Sequence, residues 1–292
     1  MKPVPSFTLH RSESLRDALR LLGELDDPKL LAGGTDLIPL LREGACSSRD
    51  IVDIGSLAEL RFIHDIDGRI HVGAGTRLQE IADSELIADK APMLQKASLS
   101  VGSPQIRNLG TIGGNLCNAS PAADTAPALL ALDATISVQT ASSRRDMQLT
   151  GLFKGPKTNS LAPDEMLTEI SFRTPPFGAG MDFQKLGRRN TFTISIVNAA
   201  AYLELENGVI EEARLSLGAV APTPIRLELC ERQLEGKSPS QLVFEDVAAS
   251  CRVLASPVDD HRASADYRRE MSGVLIKRAL AIALERARRH GP

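Results

Sequence analysis

The stretch KLLAGGTDLIP, residues 29–39, and the stretch LGTIGGNLCNASPAADTAP, residues 109–127, share one pattern. In each, apolar residues lead into Gly-Gly and a short polar residue follows, Thr35 in the first and Asn115 in the second. Such a turn exposes backbone N–H groups that can bind a phosphate or diphosphate. The alternative is a tight turn that needs glycine only for its backbone conformation. Two such turns in one chain favour a phosphate-bearing ligand.

Neither stretch is one of the common nucleotide-binding loops. No Gly-Lys-Ser/Thr follows either Gly-Gly pair, so neither is a Walker A loop. The GAGTRL segment at 73–78 lacks the last glycine of the dinucleotide fingerprint. The residues alone therefore leave the kind of phosphate ligand open.

Composition indicates a globular protein that does not act on nucleic acid. The 292 residues are enough for two ordinary domains or one large one, with 42% hydrophobic and 24% charged residues. A net charge of −3 and the absence of Trp argue against binding to duplex or single-stranded nucleic acid. No apolar run is long enough to span a bilayer, and the first twenty residues resemble no secretory signal. A cytoplasmic location is expected.

The cysteines predict no metal site and no disulfide framework. Cys46, Cys117, Cys230 and Cys251 lie far apart and form no CxxC pair, and the five histidines are equally scattered. We therefore expect reduced structural thiols and no metal bound by this chain.

Periodicity predicts an α+β fold. Apolar spacing predicts a helix within 12–25, and Pro28 separates it from a short strand that ends in the first glycine turn. Thr76 and Gln79 match a capping box at the start of the next helix. Further elements are predicted as a helix at LIPLLREG closed by Gly44, a helix at APMLQKASLSV, and strands at DIVDIG, GRIHVGAGT, ATISVQT, EMLTEISF and MDFQKLG.

The segment TPPFGAG, residues 174–180, is the best candidate for a linker, because two prolines and two glycines do not fit a central strand. Beyond it, Asn207-Gly208 predicts a hairpin, and two long helices follow. The last helix, 267–289, is rich in arginine, which is typical of a solvated face. Its apolar face, with Val274, Leu275 and Ile282 among its members, is expected to pack on its own sheet.

Several segments together resemble the FAD-binding medium subunit of the molybdenum hydroxylases, the family of xanthine dehydrogenase and aerobic carbon monoxide dehydrogenase. They are LLAGGTDLIP, IRNLGTIGGNLCNASPAADTAPALLALDA, FQKLGRRNTFTISIVNAA and DYRREMSGVLIKRAL. The resemblance covers nearly the whole chain. The cysteine-rich loop that 4-hydroxybenzoyl-CoA reductases carry in this subunit is missing.

This resemblance implies a fold and a set of partners. Residues 1–176 would form an FAD-binding domain of the vanillyl-alcohol-oxidase (PCMH) type, with subdomains at about 1–56 and 57–176. Residues 177–292 would form a carbon monoxide dehydrogenase flavoprotein-like C-terminal domain with a three-stranded antiparallel sheet and helices. FAD would bind this chain, whereas molybdopterin would lie on a large partner subunit and [2Fe–2S] clusters on a small one. A heterotrimer or a dimer of heterotrimers is expected.

The resemblance also implies the residues that bind FAD. They are Leu30, Leu31, Ala32, Gly33, Gly34, Thr35, Asp36, Leu37, Thr76, Val101, Thr111, Ile112, Gly113, Gly114, Asn115, Asp124, Leu167 and Lys185.

Some of these positions carry a specific expectation. Both glycine turns are expected to hold the diphosphate, with a hydroxyl donated by Thr35. Asp36 is expected to cap the following helix, because a carboxylate would repel the diphosphate. Asp124 would accept from ribose hydroxyls, cap the next helix, or do both. Lys185 would lie near the isoalloxazine, or be a solvated strand lysine.

Three further positions have weaker roles. Val101 would make an apolar contact where some relatives have Phe, and Leu167 would pack against adenine. Thr76 matches the family less strongly.

The predicted function is electron transfer from iron–sulfur clusters of a partner through FAD to NAD or another acceptor. No catalytic acid–base pair is expected, because the flavin performs the redox chemistry. The alternatives are a free-standing flavin oxidoreductase and a scaffold module that binds no FAD.

Overall fold

A computed structural model describes residues 4–189 and 192–290 of the chain. Lys2, in the segment tested for a secretory signal, lies outside the described residues, as do residues 190 and 191 of FQKLGRRNTFTISIVNAA. The strands are β1 Thr8–Arg11, β2 Lys29–Leu31, β3 Asp50–Asp53, β4 Ile63–Ile66, β5 Arg69–Gly73, β6 Thr135–Gln139, β7 Arg144–Gln148, β8 Phe153–Gly155, β9 Thr158–Asn159, β10 Met166–Arg173, β11 Gly180–Leu186, β12 Val197–Glu206, β13 Val209–Gly218 and β14 Ile225–Arg226. The α-helices are α1 Leu15–Glu24, α2 Leu37–Glu43, α3 Leu78–Asp83, α4 Glu85–Lys90, α5 Pro92–Leu99, α6 Pro104–Arg107, α7 Ile112–Cys117, α8 Thr125–Ala131, α9 Glu228–Leu234, α10 Gln241–Leu254 and α11 Ala265–His290.

These elements form three main sheets, which confirms the α+β prediction. The first is parallel, in the order β1-β3-β2. The second is antiparallel, in the order β4-β5-β10-β6-β7. The third is the predicted C-terminal antiparallel sheet, in which the two-residue β14 extends the three long strands to the order β11-β12-β13-β14. Two residues of β9 also pair with β8.

Strand β12 is buried on both faces and joins two hydrophobic cores. Ala200 and Tyr202 point to the core of the second sheet, whereas Ala199, Ala201 and Leu203 point to the core formed with α10 and α11. This alternation follows from the two-residue period of a strand. The third sheet therefore has one face against helices α5 and α8 and the other against the C-terminal helices.

The predicted hairpin is present between β12 and β13. Asn207 and Gly208 both have left-handed backbones, with φ of 51° and 79°. Two such residues in succession are typical of the type I′ turn that matches the twist of a two-stranded ribbon.

The predicted capping box at Thr76 and Gln79 is wrong. The helix α3 begins one residue later, after Arg77, and the Glu80 carboxylate accepts a hydrogen bond from the Arg77 N–H at 2.9 Å. The Thr76 hydroxyl instead donates to the Phe62 carbonyl at 3.0 Å. The hydroxyl bonds to the chain just before β4, because Thr76 is buried and a buried hydroxyl needs a hydrogen-bond partner.

The last helix, α11, packs on β11 and β12 of its own sheet as predicted, but two residues of the expected apolar face and one arginine differ from the prediction. Its buried apolar residues include Leu275, Ile276, Ala279, Leu280 and Ala283, whereas Val274 and Ile282 are only partly buried. Arg268 is not solvated: it is 5% exposed, and its guanidinium donates to the carbonyls of Ile196 at 2.8 Å and Ala219 at 3.1 Å. No helix in the described part of the chain is long and apolar enough to cross a membrane.

Candidate functional site

The two glycine turns line one cavity of about 440 Å³. It lies where the end of β2 and the start of α2 meet the N-terminal end of α7. The first turn contributes residues 32–37 and the second contributes Gly110, Thr111 and residues 113–115. Segments far apart in sequence are thus brought to one site.

The two turns touch through Gly33. A β-carbon at this position would lie 2.0 Å from the Leu109 carbonyl oxygen, which is far inside a van der Waals contact. The following residue, Gly34, has φ of +70°, a left-handed conformation that favours glycine. Gly-Gly therefore serves both the close approach and the turn.

The first turn has a row of free backbone donors. The N–H groups of residues 33–37 donate to no acceptor within residues 4–189 and 192–290. Helix α2 starts at Leu37, so the last of these donors are unpaired N–H groups of a helix N-terminus. The Thr35 hydroxyl likewise makes no hydrogen bond to the described residues. This arrangement fits an anionic group such as a diphosphate.

The second turn differs, because its N–H groups are already used within the protein. Ile112 donates to the Thr76 carbonyl at 3.0 Å and Gly113 to the Ala74 carbonyl at 2.9 Å. The Thr111 hydroxyl caps α7 by accepting from the Gly114 N–H at 3.1 Å. This turn therefore forms a wall of the cavity and not a second row of free amides.

One side chain of the second turn remains available to a ligand. The Asn115 Oδ1 accepts from the Thr125 hydroxyl at 2.6 Å, which fixes the amide orientation. The Nδ2 group makes no hydrogen bond to any described residue. Asn115 lines the cavity and can donate into it.

Most residues predicted to bind FAD line this cavity. They are Leu30, Ala32, Gly33, Gly34, Thr35, Asp36, Leu37, Val101, Thr111, Gly113, Gly114, Asn115 and Leu167. Five predicted residues are not in its wall: Leu31, Thr76, Ile112, Asp124 and Lys185.

Asp36 does not cap the helix that follows it. It occupies the position before α2, but its side chain makes no capping hydrogen bond, so this expectation was wrong. Its backbone is helical, with φ of −106° and ψ of −47°, and not the extended form usual at a cap. The residue is exposed at the wall of the cavity.

Asp124 and Lys185 bind each other. The Lys185 ammonium lies 2.6 Å from Asp124 Oδ2, and both side chains are largely buried. Asp124 precedes α8, yet its carboxylate makes no capping bond to that helix. Lys185 is therefore neither a solvated strand lysine nor part of the cavity wall.

Four polar residues that no sequence motif indicated also line the cavity: Lys29, Asn118, Asn159 and Glu165. The Glu165 carboxylate accepts from the Arg145 guanidinium at 2.7 and 2.9 Å and from the Ala162 N–H at 2.9 Å. These bonds hold the pKa of Glu165 below its usual range, mainly through Arg145. No spacing in the sequence marks these residues, because they come from segments that lie far apart in the chain.

Cys117 also lines the cavity. Burial raises the pKa of this thiol to about 12. At neutral pH it is therefore protonated and acts as a small apolar group.

The family described as the FAD binding domain in molybdopterin dehydrogenase matches residues 5–175. The chain belongs to this family. A second family, the carbon monoxide dehydrogenase flavoprotein C-terminal domain, matches residues 182–283 of this FAD-binding subunit.

Relatives of this subunit match over almost their full length. It is 34% identical to the glyceraldehyde dehydrogenase medium chain of Sulfolobus acidocaldarius, covering 94% of this chain and 97% of the relative. It is also 34% identical to a putative xanthine dehydrogenase FAD-binding subunit of Escherichia coli, covering 95% and 96%. The relatives include medium chains and FAD-binding subunits of dehydrogenases, so the chain is a flavoprotein subunit of the oxidoreductase class.

Solved structures agree with the fold. Carbon monoxide dehydrogenase from Hydrogenophaga pseudoflava superposes with a TM-score of 0.94 at 31% identity, covering 97% of this chain and 99% of the other. Quinoline 2-oxidoreductase from Pseudomonas putida gives a TM-score of 0.92 at 26% identity, covering 98% and 99%.

Proposed function

We propose that this chain is the electron-transfer subunit of a multisubunit molybdenum hydroxylase. It would pass electrons from iron–sulfur clusters of a partner subunit through FAD to NAD or another acceptor. The observation that carries the proposal is the row of free N–H groups at residues 33–37 in the wall of a largely apolar cavity. A dinucleotide matches this cavity, because its anionic centre can accept from the free N–H groups and its two apolar ends can contact the apolar wall.

The chain's own residues would bind and orient the cofactor. The N–H groups of residues 33–37 and the Thr35 hydroxyl would donate to the diphosphate, and Asn115 Nδ2 would add a further donor. Val101 and Leu167 would contribute apolar contacts to the ring systems. FAD, when bound, supplies the redox chemistry, so the protein needs no general acid or base of its own.

Three of the remaining predicted residues would act from behind the wall. Leu31 and Ile112 would support the two turns, and Thr76 would hold the second turn through its carbonyl.

The proposal extends to domains and partners. Residues 1–176, with subdomains at about 1–56 and 57–176, would form the FAD-binding domain, and residues 177–292 the C-terminal domain. A large molybdopterin-binding subunit and a small [2Fe–2S] subunit would complete a cytoplasmic heterotrimer or a dimer of heterotrimers.

Two measurements test the proposal. The purified chain, supplied with FAD, should show flavin absorption near one FAD per chain after removal of free cofactor. The co-expressed complex, reduced anaerobically and mixed with NAD⁺ or an artificial acceptor dye, should return to the oxidised flavin spectrum. A complex that carries FAD but reoxidises with neither acceptor would contradict the electron-transfer role.

A further inference from the structure

Two cysteines of the C-terminal helices lie in contact. Cys230 is on α9 and Cys251 is on α10, and the Cys251 thiol donates to the Cys230 sulfur at 3.5 Å. The two residues are 21 positions apart, so the packing of α10 against α9 brings their sulfurs together. The sulfurs of a disulfide lie about 2.05 Å apart, so these two need to approach by about 1.5 Å to form one.

The pair is closed off from solvent. Both residues are fully buried and belong to the apolar core that the C-terminal helices form with the third sheet. Glu231, the charged residue beside Cys230, has other partners, because its carboxylate accepts from the Leu215 N–H at 2.8 Å and from the Arg226 guanidinium at 3.0 Å. Bulky or charged oxidants are excluded from such a site, whereas a small uncharged oxidant can enter it through local opening.

The contact makes the two thiols unequal. The hydrogen bond from Cys251 stabilises a negative charge on the Cys230 sulfur and lowers the pKa of Cys230 below its usual value. The same bond, together with burial, raises the pKa of Cys251. Because the thiolate is the nucleophilic form of cysteine, Cys230 is suited to attack an oxidant first and Cys251 to react with the product.

The other two cysteines have no such arrangement. Cys46 and Cys117 are free thiols, and neither makes a hydrogen bond to a second sulfur within residues 4–189 and 192–290. Oxidation at either of them therefore has no neighbouring thiol to complete a disulfide within the chain.

We propose that Cys230 and Cys251 form a modification site at which hydrogen peroxide converts two thiols into a disulfide. In the first step the Cys230 sulfur attacks a peroxide oxygen, the O–O bond breaks, and a sulfenic acid and one water form. In the second step the Cys251 sulfur attacks the Cys230 sulfur, the S–O bond breaks, and a second water leaves. The thiols give up two electrons and two protons, and one peroxide is reduced to two waters.

The site is separate from the FAD cavity. No residue beyond Leu167 lines that cavity among residues 4–189 and 192–290, and the cysteines lie on the opposite face of the third sheet from α5 and α8. The inference therefore does not depend on the proposed FAD-binding function. The disulfide links α9 to α10 within the C-terminal domain.

The test oxidises the full chain with hydrogen peroxide, after its thiols have been reduced and the reductant removed. Remaining thiols are then blocked with N-ethylmaleimide, and the chain is digested without reductant for peptide mapping by mass spectrometry. One linked pair of peptides should appear, carrying Cys230 and Cys251 and lighter by two hydrogens than the separate peptides. Dithiothreitol should remove the link.

Two variants separate the roles of the thiols. Cys251→Ala removes the second nucleophile, so no link should form and dimedone should trap the Cys230 sulfenic acid. Cys46→Ala is the matched control, because it removes a thiol but keeps both partners. It should form the link to the same extent as the unmodified chain.

Two results on the unmodified chain would overturn the proposal, and neither depends on the folding of a variant. One is a peroxide-treated chain in which Cys46 is oxidised while Cys230 and Cys251 both remain free thiols. The other is a link between Cys230 and Cys251 that forms only when the chain is first unfolded in denaturant.

Discussion

Gly33 and Leu109 lie so close together that a β-carbon at residue 33 would be 2.0 Å from the Leu109 carbonyl oxygen. The contact brings the first glycine turn against the residue before the second. Because a backbone oxygen cannot rotate away as a side chain can, the approach depends on the absence of a side chain at residue 33. The close contact between the two turns therefore requires glycine at residue 33.

Gly33→Ala is expected to separate the two turns. Overpacking of this kind costs about 1–3 kcal/mol, and here it also displaces the free amides of the first turn. FAD affinity should fall markedly, as measured by titration of flavin fluorescence. Gly23→Ala is the control, since Gly23 lies in α1 with nothing within 4 Å of an added β-carbon. It should leave affinity unchanged and raise stability by about 0.5–1 kcal/mol.

Thr111→Val is expected to destabilise the start of α7. The valine keeps the shape of threonine but cannot accept the hydrogen bond from the Gly114 N–H. Loss of such a cap costs about 1 kcal/mol in the free energy of unfolding, measured by denaturant titration. Thr111→Ser retains the hydroxyl and should lose much less. Equal losses in both variants would mean that packing of the methyl group, and not the cap, matters.

Cys117 is expected to resist alkylation. The thiolate is the reactive form, and a pKa raised from 9.0 to about 12 leaves less of it at any pH below 9. The shift lowers the thiolate fraction about a thousandfold. Iodoacetamide labelling followed by peptide mapping should therefore modify Cys46 well before Cys117. The Cys117 rate should keep rising with pH through 9, and a plateau near pH 8 would disagree with the raised pKa.

Gly208→Ala is expected to destabilise the hairpin between β12 and β13. Gly208 has φ of +79°, and a left-handed backbone costs an ordinary residue about 1–2 kcal/mol. Thermal unfolding should show a lower midpoint for this variant. Gly155→Ala is the comparison, because Gly155 has open space around it and no positive φ. A similar loss in both would show that the turn conformation is not the cause.

Local patterns predicted much of the secondary structure. The helix within 12–25, the hairpin at Asn207 and Gly208, and the helix at APMLQKASLSV are all present. These features depend on neighbours within a few residues, so sequence spacing is sufficient to find them. Thr76 and Arg268 were misjudged, because their partners Phe62 and Ile196 are distant in sequence.

The candidate site, too, could be predicted from the sequence only where its features depend on neighbouring residues. Both glycine turns could be found from sequence, since Gly-Gly beside a short polar residue has a local chemical meaning. The sequence could not show which turn keeps its N–H groups free. In the second turn these N–H groups donate to the carbonyls of Ala74 and Thr76, which come from another segment of the chain.

The sequence by itself determined the family, the α+β class and the two turns that line the cavity. Only the tertiary structure decided that Asp124 and Lys185 bind each other. The physical reason is that a buried charge takes whichever partner the fold brings within hydrogen-bonding distance. That partner is set by the packing of β11 against α5 and by the start of α8, and no local pattern records it.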